Sequence, residues 1–215
     1  MIIRNLLILV VLLAVGLCSG CTSAKDKKEA NNKQIAAALE LAHQDKYPEA
    51  AEILKKVISS DPESFEAHSN LGSMYVRMNK IKEAIASFET AKKIRPGVTI
   101  SYYNIGGAYI TSGELDKATE AFNELNKKFP QETDGSFGLA LVAMERKQYP
   151  EAIRILEELD KKKSNNMPIL FSLAVSYSMT GNNKKAQECK SRIQKIDGRL
   201  LPQLEATIKL TREKK

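Results

Sequence analysis

The chain has 215 residues, of which 27% are charged and 43% hydrophobic, and this balance excludes a disordered chain. Its formal net charge is +7, but the lysines are spread along the sequence and form only short clusters, such as 161–163 and 214–215. A nucleic-acid-binding surface needs a focused basic stripe, so the charge pattern predicts solvated helix faces and no nucleic-acid partner.

The first twenty residues (1–20) have the layout of a secretory signal peptide. Arg4 and the amino terminus form a small positive region, which is followed by the apolar run Leu6–Leu17 and the small, polar pair Ser19 and Gly20. An α-helix needs about 20 apolar residues to span a bilayer, and this run is shorter. The pattern therefore favours a cleaved signal peptide, with an uncleaved membrane anchor as the alternative.

The sequence LCSGC at 17–21 resembles a bacterial lipobox, in which a small residue precedes a cysteine that receives a diacylglyceryl group before cleavage. The resemblance implies lipid (palmitate) attachment at Cys21, although Cys18 stands where a leucine is usual. It also implies residence in the bacterial cell envelope. Thr22 replaces the aspartate that retains lipoproteins at the inner membrane, which implies the outer membrane, facing the periplasm. Ordinary cleavage nearby, giving a soluble exported protein, is the alternative.

The segment 21–30 is polar and lysine-rich without an apolar period, which predicts a flexible tether. If Cys18 leaves with the signal peptide and Cys21 is acylated, Cys189 is the one remaining thiol in the sequence. No intramolecular disulfide is then possible, so the fold must depend on packing. A single thiol without a histidine nearby in sequence is expected to be inert.

From residue 31 onward the sequence repeats with a period of 34 residues, in five blocks without a gap. The blocks are 31–64, 65–98, 99–132, 133–166 and 167–200. Block two carries the recurring residues Leu71, Gly72, Tyr75, Ala84, Phe88, Ala91 and Pro96. Block three repeats them as Ile105, Gly106, Tyr109, Ala118, Phe122, Leu125 and Pro130. Self-similarity at one fixed period predicts a stack of identical supersecondary units.

The repeated residues have a helical spacing. Leu71 and Tyr75 are four residues apart and share one helix face, as do their counterparts, with Leu139 expected in the core of block four. Small residues such as Gly72 let the paired helix approach closely. Glycines such as Gly113 suit the left-handed end of a helix, and the prolines end the second helix of a block.

The pattern resembles the tetratricopeptide repeat (TPR) family. The resemblance implies an all-α fold, an α-solenoid of five helical hairpins over 31–200. A final segment, 201–215, places Leu201, Leu204 and Ile208 at helical spacing with charged residues between them. It is predicted to be a capping helix, apolar towards the stack and charged outward, with a partner-binding helix as the alternative.

The sequence contains no catalytic or metal-binding constellation. His43 and His68 have no cysteine or carboxylate at metal-ligand spacing, so no metal or cofactor is expected. Gly106 and Gly107 look like part of a phosphate loop, but no strand precedes them and no Gly-Lys-Ser/Thr follows. We therefore expect neither enzymatic activity nor a small-molecule substrate.

In the TPR family the leading helix of each hairpin lines a concave surface that binds peptides or helices, so the resemblance implies a partner groove. The residues expected there are Asn70, Tyr103, Asn104, Phe137, Leu141 and Phe171. Amides both donate and accept hydrogen bonds and can hold a partner's backbone. The three rings follow one another at a spacing of 34 residues. Plain packing between hairpins is the alternative for both the rings and the amides. Ile110, Met144, Val175 and Met179 are predicted to lie on the same side as Leu141.

The predicted entrance of the groove argues against one known kind of ligand. Some TPR domains clamp a terminal carboxylate with lysine and arginine, but the corresponding positions here are Glu66, Ile100, Asp134 and Pro168. An apolar or amphipathic segment of a protein partner is expected instead.

The function expected from the sequence is that of a lipid-anchored scaffold for protein–protein interaction in the bacterial envelope. The combination of lipobox, tether and repeats resembles the pilot or biogenesis lipoproteins of type IV pilus systems, which implies assembly of a secretin, pilus or secretion complex. The alternative is a docking or regulatory subunit for envelope hydrolases, such as peptidoglycan enzymes or proteases. A self-associating structural protein is a more distant alternative.

Overall fold

The computed structural model describes residues 24–213, so the predicted signal peptide and Cys21 lie outside the described residues. Within that range the elements are eleven α-helices and one 3-10 turn, with no strand. The helices are α1 Ala24–His43, α2 Tyr47–Ser60, α3 Phe65–Arg77, α4 Ile81–Ile94, α5 Thr99–Ser112, α6 Leu115–Lys128, α7 Asp134–Glu145, α8 Tyr149–Lys162, α9 Met167–Met179, α10 Asn183–Asp197 and α11 Leu201–Glu213, with the turn at Gly198–Leu200. Consecutive helices pack in pairs, which confirms the predicted TPR-like solenoid.

The same turn joins the two helices of every hairpin. One residue in each turn has a positive φ, between 58° and 78°, and these residues are Asp45, Asn79, Gly113, Lys147 and Gly181. The next backbone N–H donates to the carbonyl oxygen five residues earlier in every hairpin, as from Lys80 to Tyr75 at 2.8 Å. This is the Schellman arrangement, which satisfies carbonyls that the end of a helix leaves unpaired. Because the turns recur every 34 residues, all five hairpins have the same geometry.

Small residues on the leading helices make room for rings on the following ones. A methyl group placed on Gly72 would lie 2.5 Å from the Phe88 ring, and one on Gly106 would lie 2.5 Å from the Phe122 ring. Both rings are almost fully buried. The Phe88 ring belongs to a cluster that also contains Ile105 of the next hairpin. The core therefore runs continuously between hairpins, as expected when a single hairpin cannot bury its own apolar side.

The N-terminal boundary differs from the sequence prediction. Residues 24–30, expected to belong to a flexible tether, form the first turns of α1, and their side chains are exposed. The reason is local, because the segment is rich in alanine, lysine and glutamate, which favour helix, and its Glu29 pairs with Lys33 at 2.8 Å. The correction leaves only 21–23 of the predicted tether, and these lie outside the described residues.

The C-terminal helix α11 packs mainly on α9 and much less on α10. Its apolar side chains Leu204 and Ile208 are buried, and Lys190 of α10 pairs with Glu205 at 2.6 Å. The apolar side of α11 therefore faces the stack, as predicted. A helix that continued the solenoid would instead pack as closely on the preceding second helix as α9 packs on α8.

Arginine side chains link neighbouring hairpins at their exposed edges. Arg192 of α10 donates two hydrogen bonds to Asp160 of α8, at 2.6 and 2.8 Å, in a partly buried pair. Two parallel hydrogen bonds to one carboxylate fix the relative positions of both helices. Within 24–213 no helix is long and apolar enough to cross a membrane.

Candidate protein-binding groove

Three leading helices have few charged residues. α5 and α9 contain none, and α7 contains only Asp134 and Glu145, at its two ends. A helix that is apolar on all sides is expected to be buried on all sides. In α5 and α7, however, Tyr103, Phe137 and Leu141 are only half-buried. These two helices therefore present an apolar side that the described chain does not cover completely.

A cavity of about 260 Å³ lies on this side, between the N-terminal ends of α5, α7 and α9. Its lining consists of Ile100, Tyr103, Thr133, Asp134, Phe137, Lys163, Asn166, Pro168 and Ile169. The structure thus brings two of the three predicted rings together with three of the four predicted entrance residues. Apolar walls with a few polar groups at the rim are typical of ligand sites.

The Tyr103 ring has a packing role and a surface role at once. Its centroid lies 5.6 Å from that of the buried Phe122 ring, at an angle of 54°. Burial, and to a smaller extent the carboxylate of Asp134, raises the pKa of the Tyr103 hydroxyl. The phenol is therefore neutral at physiological pH, and its hydroxyl can donate a hydrogen bond to a ligand in the cavity.

Phe171 does not line this cavity. It is half-buried and packs, like Phe137, against the core of the last two hairpins. The predicted row of three rings is therefore divided, since Tyr103 and Phe137 share a cavity and Phe171 lies farther along the solenoid.

The two predicted amides, Asn70 and Asn104, are half-buried on α3 and α5. Among residues 24–213 the structure gives neither side chain a hydrogen-bond partner, so both amides can still pair with a ligand's backbone. Leu141 is half-buried on α7, ahead of the turn of that hairpin. The lipid-attachment residue Cys21 lies outside the described residues.

The rim of the cavity carries charges of both signs. Asp134 accepts a hydrogen bond from the Thr99 hydroxyl at 3.0 Å, and Lys163, which follows α8, also lines the cavity. Farther along, Glu66 pairs with Arg95 at 2.7 Å. The groove therefore combines an apolar floor with acidic and basic positions at its edge.

Lys163 and Asn166 line the cavity but are not among the residues predicted from the sequence. Both lie between α8 and α9, outside the leading helices on which the predicted groove residues lie. Asn166 could have been noticed as an N-cap, since its side chain accepts from the backbone N–H of Ile169 at 3.2 Å. No sequence signal indicates that this connection lines the same cavity as Phe137.

The groups that could carry chemistry are not brought together. Cys189 is buried, and burial raises the pKa of its thiol to about 11. His68 contacts the backbone carbonyl of Pro62 at 2.9 Å. In the described part of the chain no three His, Cys, Asp or Glu residues are grouped so as to hold a metal ion.

Stacked hairpins with a common turn and an uncovered apolar side define a TPR-like helical repeat protein. Repeat folds of this type are generally non-catalytic scaffolds for protein–protein interaction. A family model described as the coatomer epsilon subunit matches residues 21–196, and the chain belongs to this family of TPR-like proteins.

Comparison with curated proteins found no match. Among solved structures, TTC0263, a thermophilic TPR protein of Thermus thermophilus, is 15% identical with a TM-score of 0.70, over 84% of this chain and 98% of that one. Pseudomonas aeruginosa PilF is 18% identical with a TM-score of 0.63, over 79% of this chain and 77% of that one. MamA is 20% identical with a TM-score of 0.54, over 74% and 92% of the two chains. At these identities the likeness concerns the fold alone.

Proposed function

We propose that this protein is a scaffold whose groove across α5 and α7 binds an apolar or amphipathic segment of another protein. The observation that carries the proposal is the cavity of about 260 Å³ between Tyr103 and Phe137, with the exposed side chain of Ile100 at its edge. Apolar side chains left at a concave surface gain free energy when a partner removes them from water.

The groove is a poor site for a terminal carboxylate. Of the predicted entrance positions, Glu66 and Asp134 are acidic, Ile100 and Pro168 are apolar, and the Arg95 guanidinium is already paired with Glu66. A partner segment with a basic residue beside its apolar side chains suits the acidic position better, because opposite charges at a rim favour encounter and register.

We further propose that the protein works in the bacterial cell envelope, lipid-anchored through Cys21 and facing the periplasm from the outer membrane. The lipobox-like sequence at 17–21 supports the anchor. The layout of the sequence, together with the PilF structure among those of like fold, supports a role in assembling a secretin, pilus or secretion complex. A docking or regulatory subunit for envelope hydrolases is the second candidate, and it requires the same groove.

Site-specific photo-crosslinking tests the groove. Leu141 is replaced by p-benzoylphenylalanine in the full chain, the cells are irradiated, and the adducts are identified by mass spectrometry. The matched control carries the same amino acid in place of Glu120, which is exposed on α6. We expect a protein adduct from position 141 and none of the same mass from position 120.

A second substitution defines the contribution of the cavity. Phe137→Ala in the crosslinking chain should lower the yield of the adduct severalfold, because aromatic anchors carry much of the binding free energy at interfaces. A pilus or secretion component in the adduct supports the first candidate, and a hydrolase supports the second. Equal adducts from positions 141 and 120 would show that the groove is not the binding site.

The anchor has its own test. Cys21→Ala removes the acceptor thiol, so the exported protein should move from the membrane fraction to the soluble fraction, as judged by fractionation and immunoblotting. Stable anchoring by lipid needs two acyl chains or a second signal, and the variant retains neither chain. Continued firm attachment of the variant to the membrane would indicate an uncleaved N-terminal helix instead.

A further inference from the structure

The side of α9 that was predicted to line the groove is buried, whereas the equivalent side of α7 is not. Val175, Ser178 and Met179 of α9 are 2%, 7% and 6% exposed. The residues one repeat earlier are Leu141 and Met144, which are half-buried, and Glu145, which is exposed. Since the hairpins share one geometry, another element must cover α9.

The covering element is α11. Leu204 and Ile208 of α11 belong to the same buried cluster as Val175 and Met179. Near the other end of α11, Arg212 donates a hydrogen bond to the backbone carbonyl of Ser178 at 3.4 Å. The two buried side chains of α11 are four residues apart, as on one side of an amphipathic helix. α11 thus lies along the side of α9 that carries Val175 and Met179.

The fit of α11 is incomplete. A cavity of about 320 Å³ remains where α11 faces α7 and α9, and its lining includes Met144, Val175 and Leu210. Leu210 does not fill this space and is 57% exposed. Water can enter this space, so a helix whose apolar side chains filled it would remove more apolar surface of Met144 and Leu210 from water.

The connection to α11 is suited to movement. The 3-10 turn Gly198–Leu200 separates α11 from α10, and the ion pair between Lys190 and Glu205 has an exposed carboxylate. Exposed ion pairs contribute little to stability. Only Leu204 and Ile208 of α11 are buried among its described residues.

We propose that α11 occupies the C-terminal end of the groove, over α9, when no partner is bound. An amphipathic helix of the partner then displaces α11. The proposal rests on the proposed function and specifies a helix, rather than an extended strand, as the occupant. The surface that the partner helix would occupy is continuous with the existing α9–α11 interface. Displacement uncovers Val175, Ser178 and Met179, which extends the apolar side of α5 and α7 along α9.

Hydrogen exchange of the full chain tests the first part, namely that α11 leaves α9 readily. The amides of α11 should exchange roughly tenfold faster or more than those of α10, because a locally opening helix exchanges without global unfolding. The variants Ile208→Ala and Glu205→Lys should accelerate exchange in both α11 and the second half of α9, and leave α5 and α6 unchanged. The control Lys209→Ala alters an exposed residue of the same helix and should change nothing.

A synthetic, fluorescently labelled peptide of residues 199–215 tests the second part, namely that a helix added from outside takes the vacated surface. Its affinity for the full-length Ile208→Ala chain should be roughly tenfold higher than for the unsubstituted chain, since the internal competitor is weakened. Glu205→Lys should act in the same direction with an intact apolar core, and Lys209→Ala should match the unsubstituted chain.

Exchange of α11 as slow as that of α10 would overturn the proposal, and so would equal peptide affinity for all four chains. Neither measurement involves a cellular partner. A failure here therefore leaves the crosslinking result at position 141 to decide the proposed function independently.

Discussion

Gly106 and Gly107 are neighbours in α5 with opposite surroundings. A methyl group on Gly106 would lie 2.5 Å from the buried Phe122 ring, whereas one on Gly107 would meet nothing within 4 Å. The first glycine is needed for the close approach of α6, and the second is a helical residue with free space beside it. The repeat pattern predicts a close helix approach at Gly106, the counterpart of Gly72, and the structure adds that Gly107 has no such contact.

The two alanine variants should change stability in opposite directions. Gly106→Ala should lower the free energy of unfolding by about 1–3 kcal/mol, because an overpacked core forces the ring to move. Gly107→Ala should raise it by about 0.5–1 kcal/mol, because alanine has the higher helix propensity. Urea denaturation followed by circular dichroism measures both. A stabilising Gly106→Ala would show that Phe122 does not contact Gly106.

Cys189 makes stability depend on pH in the alkaline range. Burial raises the pKa of its thiol from 9.0 to about 11 in the folded chain. Below pH 9 the thiol is protonated in both the folded and the unfolded chain. Its contribution to the free energy of unfolding therefore does not change with pH there. Between pH 9 and 11 the unfolded chain loses this proton first, so the free energy of unfolding should fall as the pH rises.

The comparison of the unsubstituted chain with Cys189→Ala isolates this contribution from other groups that titrate in the same range. We expect the urea midpoint to decrease more steeply between pH 9 and 11 for the unsubstituted chain. A thiol reagent should also react slowly with the native protein at pH 8 and rapidly after unfolding, because only an accessible thiolate is nucleophilic. Parallel pH profiles for both chains would contradict the burial of the thiol.

At the level of the helices, the leucines of the repeat are not equivalent. Leu125 of α6 is fully buried, whereas Leu139 of α7, expected in the core, is half-buried. Leu125→Ala should therefore cost about 2–5 kcal/mol of unfolding free energy, and Leu139→Ala should cost clearly less. Denaturation midpoints of the two variants test this order. Equal losses would place Leu139 in the core after all.

The helix boundaries show which elements local sequence can predict. The sequence predicts a hairpin turn at Gly113, whose φ of 78° requires a left-handed residue. The prediction of a tether over 24–30 is wrong, although that segment is polar and lysine-rich. Its composition is equally that of an exposed helix, and only a continuation into a packed element distinguishes the two.

Over the whole molecule, the amount of buried apolar surface is uneven. The cluster at the C-terminal end spans α7 to α11, whereas α1 contributes only Ile35 and Ala38 to the apolar core. In a linear array, each hairpin is stabilised mainly by its neighbours, so α1 opens before the hairpins that follow it.

Hydrogen exchange should follow this gradient in the full chain. We expect the amides of α1 to exchange faster than those of α8, by a factor set by the difference in local opening free energy. The measurement is exchange followed by mass spectrometry of peptic fragments. Uniform protection from α1 to α10 would mean that the solenoid opens only as one cooperative unit.

The candidate groove was anticipated only in part. Tyr103 and Phe137 do share a cavity, since a period of 34 residues places equivalent side chains on the same side of successive hairpins. Phe171 lies outside that cavity, and Val175 and Met179, predicted for the same surface, are covered by α11. Equivalent positions in a repeat therefore have equivalent orientations but unequal access to a ligand.

By itself, the sequence determined the number of hairpins, the turn at Gly113 and core residues such as Phe88 and Phe122. These properties arise from contacts within one repeat or between neighbouring repeats, so a local period encodes them. The tertiary structure alone decided that Lys163 and Asn166 join Tyr103 and Phe137, and that α11 covers α9 rather than continuing the stack. Those outcomes depend on how separate elements meet in space, which no periodic spacing specifies.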